Sequence, residues 1–222
     1  GGQTKEQAAK TAAKTFVDTA LATGRSRVSL VTFGGSASLG IGLSSDATAI
    51  KRAIDNFPLI SGTNISAGID VAFESVLTPN ARPGALQVII LMSDGAPNLP
   101  SPNPDQAAVR SANAARLGGV QLFAIGLGSD RDDDLLTRTA GGAANYYPSP
   151  SGAELENIYR SIALLVGNFA VRDMVLDDDL SQYVQYVPGS AVPAAEVAGS
   201  RLTWKANLIP EQGITLTYRV IA

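Results

Sequence analysis

Two side chains of this 222-residue sequence have the type and setting to hold a hard cation: the hydroxyl of Thr63 and the carboxylate of Asp94. Thr63 stands in S-G-T-N (61–64), a turn that opens a helical pattern. Asp94 closes the apolar run L-Q-V-I-I-L-M (86–92) in the turn Ser93-Asp94-Gly95. Open α/β sheets bind ligands outside the carboxyl ends of their strands, and Asp94 sits where such a strand leaves the core. Hydroxyl and carboxylate oxygens suit Mg2+, Mn2+ or Ca2+, and Mg2+ in particular retains waters and takes few protein ligands. The same residues also read as plain turn and cap chemistry, since Ser, Thr and Asn commonly precede helices and S-D-G commonly ends a strand.

The composition narrows the chemistry. There is no His and no Cys, so Ser–His–Asp and Cys–His catalysis and His- or Cys-held zinc are excluded. The chain carries no G-x-S-x-G, no S-x-x-K and no phosphate-binding G-x-x-x-x-G-K-[ST]. A net charge of −3 without a Lys/Arg cluster argues against a nucleic-acid partner. No apolar run is long enough to span a bilayer. Absence of cysteine is compatible with an exported bacterial protein. Asp130, Asp132 and Asp134 have the opening spacing of a calcium loop, as do Asp177, Asp179 and Ser181, but both lack the required glycine and glutamate. Solvated turns and helix caps explain both better. Gly126-Leu-Gly128 lacks a third glycine and reads as a strand-end turn.

These residues need a scaffold, and hydrophobic periodicity supplies one. A capping box, Thr4-x-x-Gln7, opens a helix over 5–22 that Gly24 ends. Residues 27–33 read as a strand with a hairpin partner at 37–41. Ser45-Asp46 caps a helix to about Phe57, and Asn64 precedes a helix over 65–77. A loop at 79–84 leads into the central run, expected to be buried on both faces of a parallel sheet. Beyond it come a Pro/Ser loop at 100–104, a helix over 105–117, a strand at 120–125, a short helix at 135–140, a strand at 145–147 and an amphipathic helix at 153–166. Strands alternating with helices predict βαβ crossovers. After Gly167 the rhythm changes to short strands at 171–176, 183–187, 201–206 and 214–221, a small β-sandwich-like module with Trp204 in its core. The expected division is therefore 1–167 and 168–222.

The succession V-S-L-V-T-F (28–33), S-G-T-N-I-S-A-G-I (61–69), V-I-I-L-M-S-D-G-A-P-N (88–98) and F-A-I-G-L-G (123–128), with the tail Tyr146-Tyr147, Leu155 and Ile158-Tyr159, resembles the von Willebrand factor type A domain. The resemblance runs from about Gly1 to Val166. It implies a Rossmann-like, doubly wound and mostly parallel α/β sheet with helices on both faces. It further implies a metal-ion-dependent adhesion site built from a D-x-S-x-S loop, a Thr and an Asp, the last two matching Thr63 and Asp94. Ser61, Asn64, Ser93, Gly95 and Asn98 are the neighbouring candidates for contact with a partner. The chain departs from the pattern in having no D-x-S-x-S, and Gly1-Gly2-Gln3 resembles the stretch just after that loop. Strand one and its ligands are thus expected to lie outside this sequence, leaving little Mg2+ affinity. The chain alone is expected to be poorly stable or to accept a complementing strand from another segment. The tail, with V-R-D-M-V-L-D-D-D-L (171–180) and Y-V-Q-Y-V-P-G-S-A (183–191), resembles β-sandwich repeats of bacterial surface proteins, and the chain stops inside a strand-like segment.

The leading function implied is a metal-dependent adhesion or protein-interaction module of an exported bacterial surface protein, docking a partner's carboxylate through the cation. The alternative is a structural or assembly scaffold with a vestigial metal site. A regulatory piece of a metal-dependent hydrolase or chelatase is a third possibility. Catalysis by this chain is not expected, because it offers no nucleophile–base pair and no nucleotide loop.

Overall fold

The computed structural model describes residues 4–58, 60–77, 81–82, 85–149, 151–167, 169–210 and 213–221. Most of the expected loop at 79–84, and the Gly1-Gly2-Gln3 segment, lie outside the described residues. The chain divides into two compact units, 1–167 and 168–222.

Local chemistry sets the elements of the first unit. Helix α1 (Lys5–Leu21) starts at a complete capping box, in which Thr4 and Gln7 each bond the other's backbone. Strand β1 (Val28–Phe33) turns back into β2 (Ala37–Ser44) as an antiparallel hairpin, with a partner strand longer than its sequence pattern shows. Asp46 caps α2 (Ala47–Asp55), and Asn64 caps α3 (Ile65–Val76). The central run is β3 (Val88–Ser93), followed by α4 (Pro104–Leu117), which opens on proline, and β4 (Gln121–Leu127). Gly126 therefore lies inside β4, paired to Ser93 and Pro148, and only Gly128 belongs to the turn beyond it. Then come α5 (Asp133–Ala140), β5 (Tyr146–Ser149) and α6 (Gly152–Gly167).

Strands β3, β4 and β5 form a parallel sheet in that order, with β4 central. One face, through Ile89, Leu91, Leu122 and Ala124, packs on α3, α4 and α5. The other, through Phe123 and Ile125, packs on Ala9 and Ala12 of α1 and on Leu155, Tyr159 and Ile162 of α6. Apolar residues of β4 are buried on both faces, as a strand between two helix layers must be. The expectation of full burial fails for β3, where Ile89, Leu91 and Ser93 are buried but Val88, Ile90 and Met92 are only half-buried.

The reason is visible in the pairing. Among the described residues β1 bonds only to β2, and β3 only to β4, so the hairpin and the parallel sheet are two sheets there rather than one. Helix α3 nevertheless packs against both β1 and β3. Both faces of β1 meet helices: Val28 and Leu30 join Val17, Ile50 and Ile54, while Phe33 lies against Gly68 of α3. All six residues of β1 remain half-buried even so. Their exposure comes from an edge without a neighbouring strand among the described residues.

The second unit has two small antiparallel sheets. One joins β6 (Phe169–Asp179), β9 (Arg201–Pro210) and β8 (Glu196–Ala198); the other pairs β7 (Gln185–Tyr186) with β10 (Val220–Ile221). Leu202, Trp204 and Ala191 are buried with Met174, Tyr186, Leu216 and Tyr218 around them. The Trp204 indole donates to the Pro193 carbonyl at 2.9 Å, which satisfies its one polar group. The acidic run 177–179 is not the expected turn but lies within a strand. Asp179 accepts both arms of Arg201, Asp177 accepts the Thr203 hydroxyl, and Asp178 accepts Tyr218. Period-2 alternation sends Asp177 and Asp179 to cross-strand partners, something charge spacing alone does not reveal.

Candidate metal and partner-binding rim

The loop carrying Thr63 and the loop carrying Asp94 meet at the carboxyl end of β3. The Thr63 amide donates to the side-chain oxygen of Asn98 at 2.9 Å, and the Thr63 carbonyl accepts from the amides of Asn98 (3.0 Å) and Leu99 (3.2 Å). A third segment fixes this pair. The Gly35 amide donates to the Ser61 carbonyl and the Asn64 amide to the Gly34 carbonyl, both at 2.7 Å. Gly34 and Gly35 come directly after β1, so the end of β1 clamps the Thr63 loop.

The other candidate residues separate into two groups. The Asn64 side-chain oxygen accepts from Ser66 and from the Ala67 amide, so it caps α3. Ser93 is buried, and its hydroxyl donates to the Gly95 carbonyl at 3.0 Å. The Ser93 hydroxyl thus braces the turn that follows β3. Ser61 and Asn98 are exposed and Gly95 is half-buried on the two joined loops. The Thr63 hydroxyl has no hydrogen bond to another described residue.

Asp94 does not face open solvent alone. Its carboxylate, 63% exposed, lies 3.7 Å from the ammonium of Lys5, the first residue of α1. The same ammonium lies 3.6 Å from Asp130, in the loop after β4. Beside it, Arg131 donates to the Gly128 carbonyl and to Asp133, which also accepts the Tyr146 hydroxyl. Desolvation and then the bond to Asp133 push the Tyr146 phenol up to about 12. The Tyr146 hydroxyl in turn holds the Asp133 carboxyl below its ordinary range, with Arg131 assisting.

Sequence reasoning missed Lys5, Gly34 and Gly35, and read Asp130 only as part of a calcium-loop-like spacing better explained by a turn or cap. Lys5 and Asp130 had a usable signal, because in a βαβ fold the first turn of a helix and the residues after a strand both reach the carboxyl rim. The glycine clamp had none, since its partners lie in an irregular segment beyond β2 and α2.

The donor types fit a hard cation, but Thr63 and Asp94 supply one hydroxyl and one carboxylate, too few to hold Mg2+ tightly. Among the described residues no group of three acidic or imidazole side chains gathers around a common point. One prediction tests the seam between the loops. Asn98→Ala removes the acceptor for the Thr63 amide and is expected to cost about 1 kcal/mol, read by thermal melting, with Asn98→Asp restoring most of it.

The chain matches the family model for the von Willebrand factor type A domain over residues 1–161. It is 34% identical over 128 residues to a UPF0353 protein of Mycolicibacterium paratuberculosis, covering 55% of this chain and 38% of that one. It spans about half the length, or less, of the curated relatives it matches. Its fold is similar to that of proximal thread matrix protein 1 from the mussel byssus, solved with a zinc-occupied MIDAS motif. That match has a TM-score of 0.63 and 24% identity, over 76% of this chain and 44% of that one. It is also similar to the pilus adhesin SpaC from Lactobacillus rhamnosus GG, with a TM-score of 0.65 and 16% identity, over 99% of this chain and 37% of that one. The first 161 residues therefore belong to the von Willebrand factor type A domain family.

Proposed function

We propose that this domain is a protein-binding module of a bacterial surface protein, and not a catalyst, whose rim at Thr63, Asp94, Gly95 and Asn98 receives an acidic group of its partner. The observation that carries this reading is the junction of the Thr63 loop with the Asp94 loop through Asn98, which puts the two candidate residues on adjoining loops. Support comes from family membership and from the fold shared with a pilus adhesin. A divalent cation bound there supplies positive charge to a partner carboxylate, and Thr63 and Asp94 are the residues of this chain that would hold it. The remaining donors are proposed to come with a strand that fills the space between β1 and β3, of which the residues encoded before Gly1 are the proposed source.

The test uses a chain lengthened by those preceding residues and a polyglutamate peptide as a carboxylate-presenting probe. In Mn2+, binding is expected to weaken at least about tenfold on adding EDTA and on Asp94→Ala, as loss of a charge-assisted contact implies. Binding that survives both changes overturns the reading. A scaffold role, with the metal site vestigial, is favoured by the Lys5 ammonium already lying against Asp94. It is the outcome if Asp94→Ala leaves binding unchanged.

A further inference from the structure

We infer that Lys5 is the rim's built-in counter-cation, an ammonium that a divalent ion must displace from Asp94 and that therefore keeps metal binding weak and exchangeable. The inference rests on the reading of Asp94 as the rim's cation ligand. Three observations converge on Lys5. Its Nζ lies within ion-pair distance of two carboxylates from different loops, 3.7 Å from Asp94 and 3.6 Å from Asp130. Its stem crosses Gly128, where a Cβ would stand 2.8 Å from Lys5 Cε and 2.9 Å from Nζ, so the glycine leaves the passage the side chain uses. Gly128 also has a φ of +80°, which disfavours any other residue there.

The third observation is where Lys5 sits. A cation in the first turn of a helix opposes the positive end of the helix dipole, and anions are preferred there. Local helix chemistry therefore gives no reason for a lysine at the start of α1. Its contacts at the rim do. Asp94 and Asp130 converge on one point, and with Lys5 between them the local charge is −1 rather than −2. A divalent ion arriving at Asp94 meets a positive charge already in place. It gains a neutralised carboxylate only by moving that ammonium aside.

The pair is exposed, 46% on the lysine side and 63% on the aspartate side, so screening by water limits the effect. Removing one charge at this distance is expected to tighten divalent binding by about five- to tenfold. Fold stability should hardly change, because both partners are solvated.

The experiment is a Mn2+ titration of the 15N-labelled 222-residue chain, following paramagnetic broadening of the Gly95 backbone amide. Wild type is compared with Lys5→Met, Lys5→Arg, and Asp94→Asn placed in each of the wild-type and Lys5→Met backgrounds. The expected result is half-broadening of Lys5→Met at about five- to tenfold lower Mn2+, Lys5→Arg titrating like wild type, and loss of the effect with Asp94→Asn. If Lys5→Met titrates like wild type, or shows no broadening at all, the inference is overturned. If broadening nevertheless depends on Asp94, the rim reading stands and Lys5 is a bystander. If Asp94→Asn leaves broadening unchanged in both backgrounds, the cation is not at Asp94, and the inference falls together with the metal part of the proposed function.

Discussion

A chain that includes the residues encoded immediately before Gly1 is expected to melt about 10 °C or more above residues 1–222 alone, provided those residues supply the strand between β1 and β3. The expectation comes from β1 and β3, which both pack on α3 but do not bond to each other among the described residues. All of β1 is half-buried although helices cover both its faces, and Val88, Ile90 and Met92 of β3 are half-buried as well. An intervening strand would pair both open edges and complete the burial of these side chains. Each fully buried Val or Ile contributes about 1.5–3 kcal/mol, and each backbone bond about 1 kcal/mol net. Ordering the strand costs about 1–2 kcal/mol per residue, so a net gain of a few kcal/mol remains. For a chain of this size each kcal/mol corresponds to about 2–4 °C in the midpoint. Melting followed by circular dichroism measures the shift, and hydrogen exchange locates it: amides of β1 and β3 should gain protection while those of β4 hardly change. Equal midpoints for the two chains would show that the open edges are the native arrangement.

The second large effect is expected at Gly34. A Cβ there would lie 2.3 Å from the Ile60 carbonyl oxygen and 2.5 Å from the Ile60 Cβ, distances no side chain tolerates. Both colliding atoms belong to or adjoin the backbone, so a rotamer change cannot relieve the clash. Gly34→Ala must push the segment from Ile60 to Asn64 away from the end of β1. That movement strains the Gly34–Asn64 and Gly35–Ser61 bonds, each 2.7 Å, and with them the position of Thr63. Overpacking of this kind costs about 3 kcal/mol, hence a fall of roughly 6–12 °C in the melting midpoint. Gly42→Ala is the control. It lies on β2 with nothing within 4 Å of its would-be Cβ, so the change is expected to be neutral or mildly stabilising. If Gly34→Ala melts like Gly42→Ala, the close approach is not a feature of the folded protein.

Both predictions depend on contacts that sequence patterns do not encode, whereas much of the scaffold was legible. Thr4-x-x-Gln7, Asp46 and Asn64 mark helix starts because a cap acts on amides two or three residues away, whereas α4 begins one residue before its expected start, at Pro104. Apolar runs marked β3 and β4, with ends displaced by one or two residues. The carboxylate of Asp94 was readable as a rim residue because the end of a parallel strand is a local property. Asp177 and Asp179 were misread for the complementary reason. Their partners, Thr203 and Arg201, are set by strand register across more than 20 residues of intervening chain.

The sequence by itself therefore determined which oxygens this protein can offer, on which loops, and the helices and strands that carry them, because capping, periodicity and residue chemistry operate over a few neighbouring positions. The tertiary structure alone decided that Asn98 ties the Thr63 loop to the Asp94 loop, that Gly34 admits Ile60, and that the Lys5 ammonium rests between Asp94 and Asp130. Those relations join segments tens of residues apart. They arise from how the helix layers and sheet pack, which no local pattern specifies.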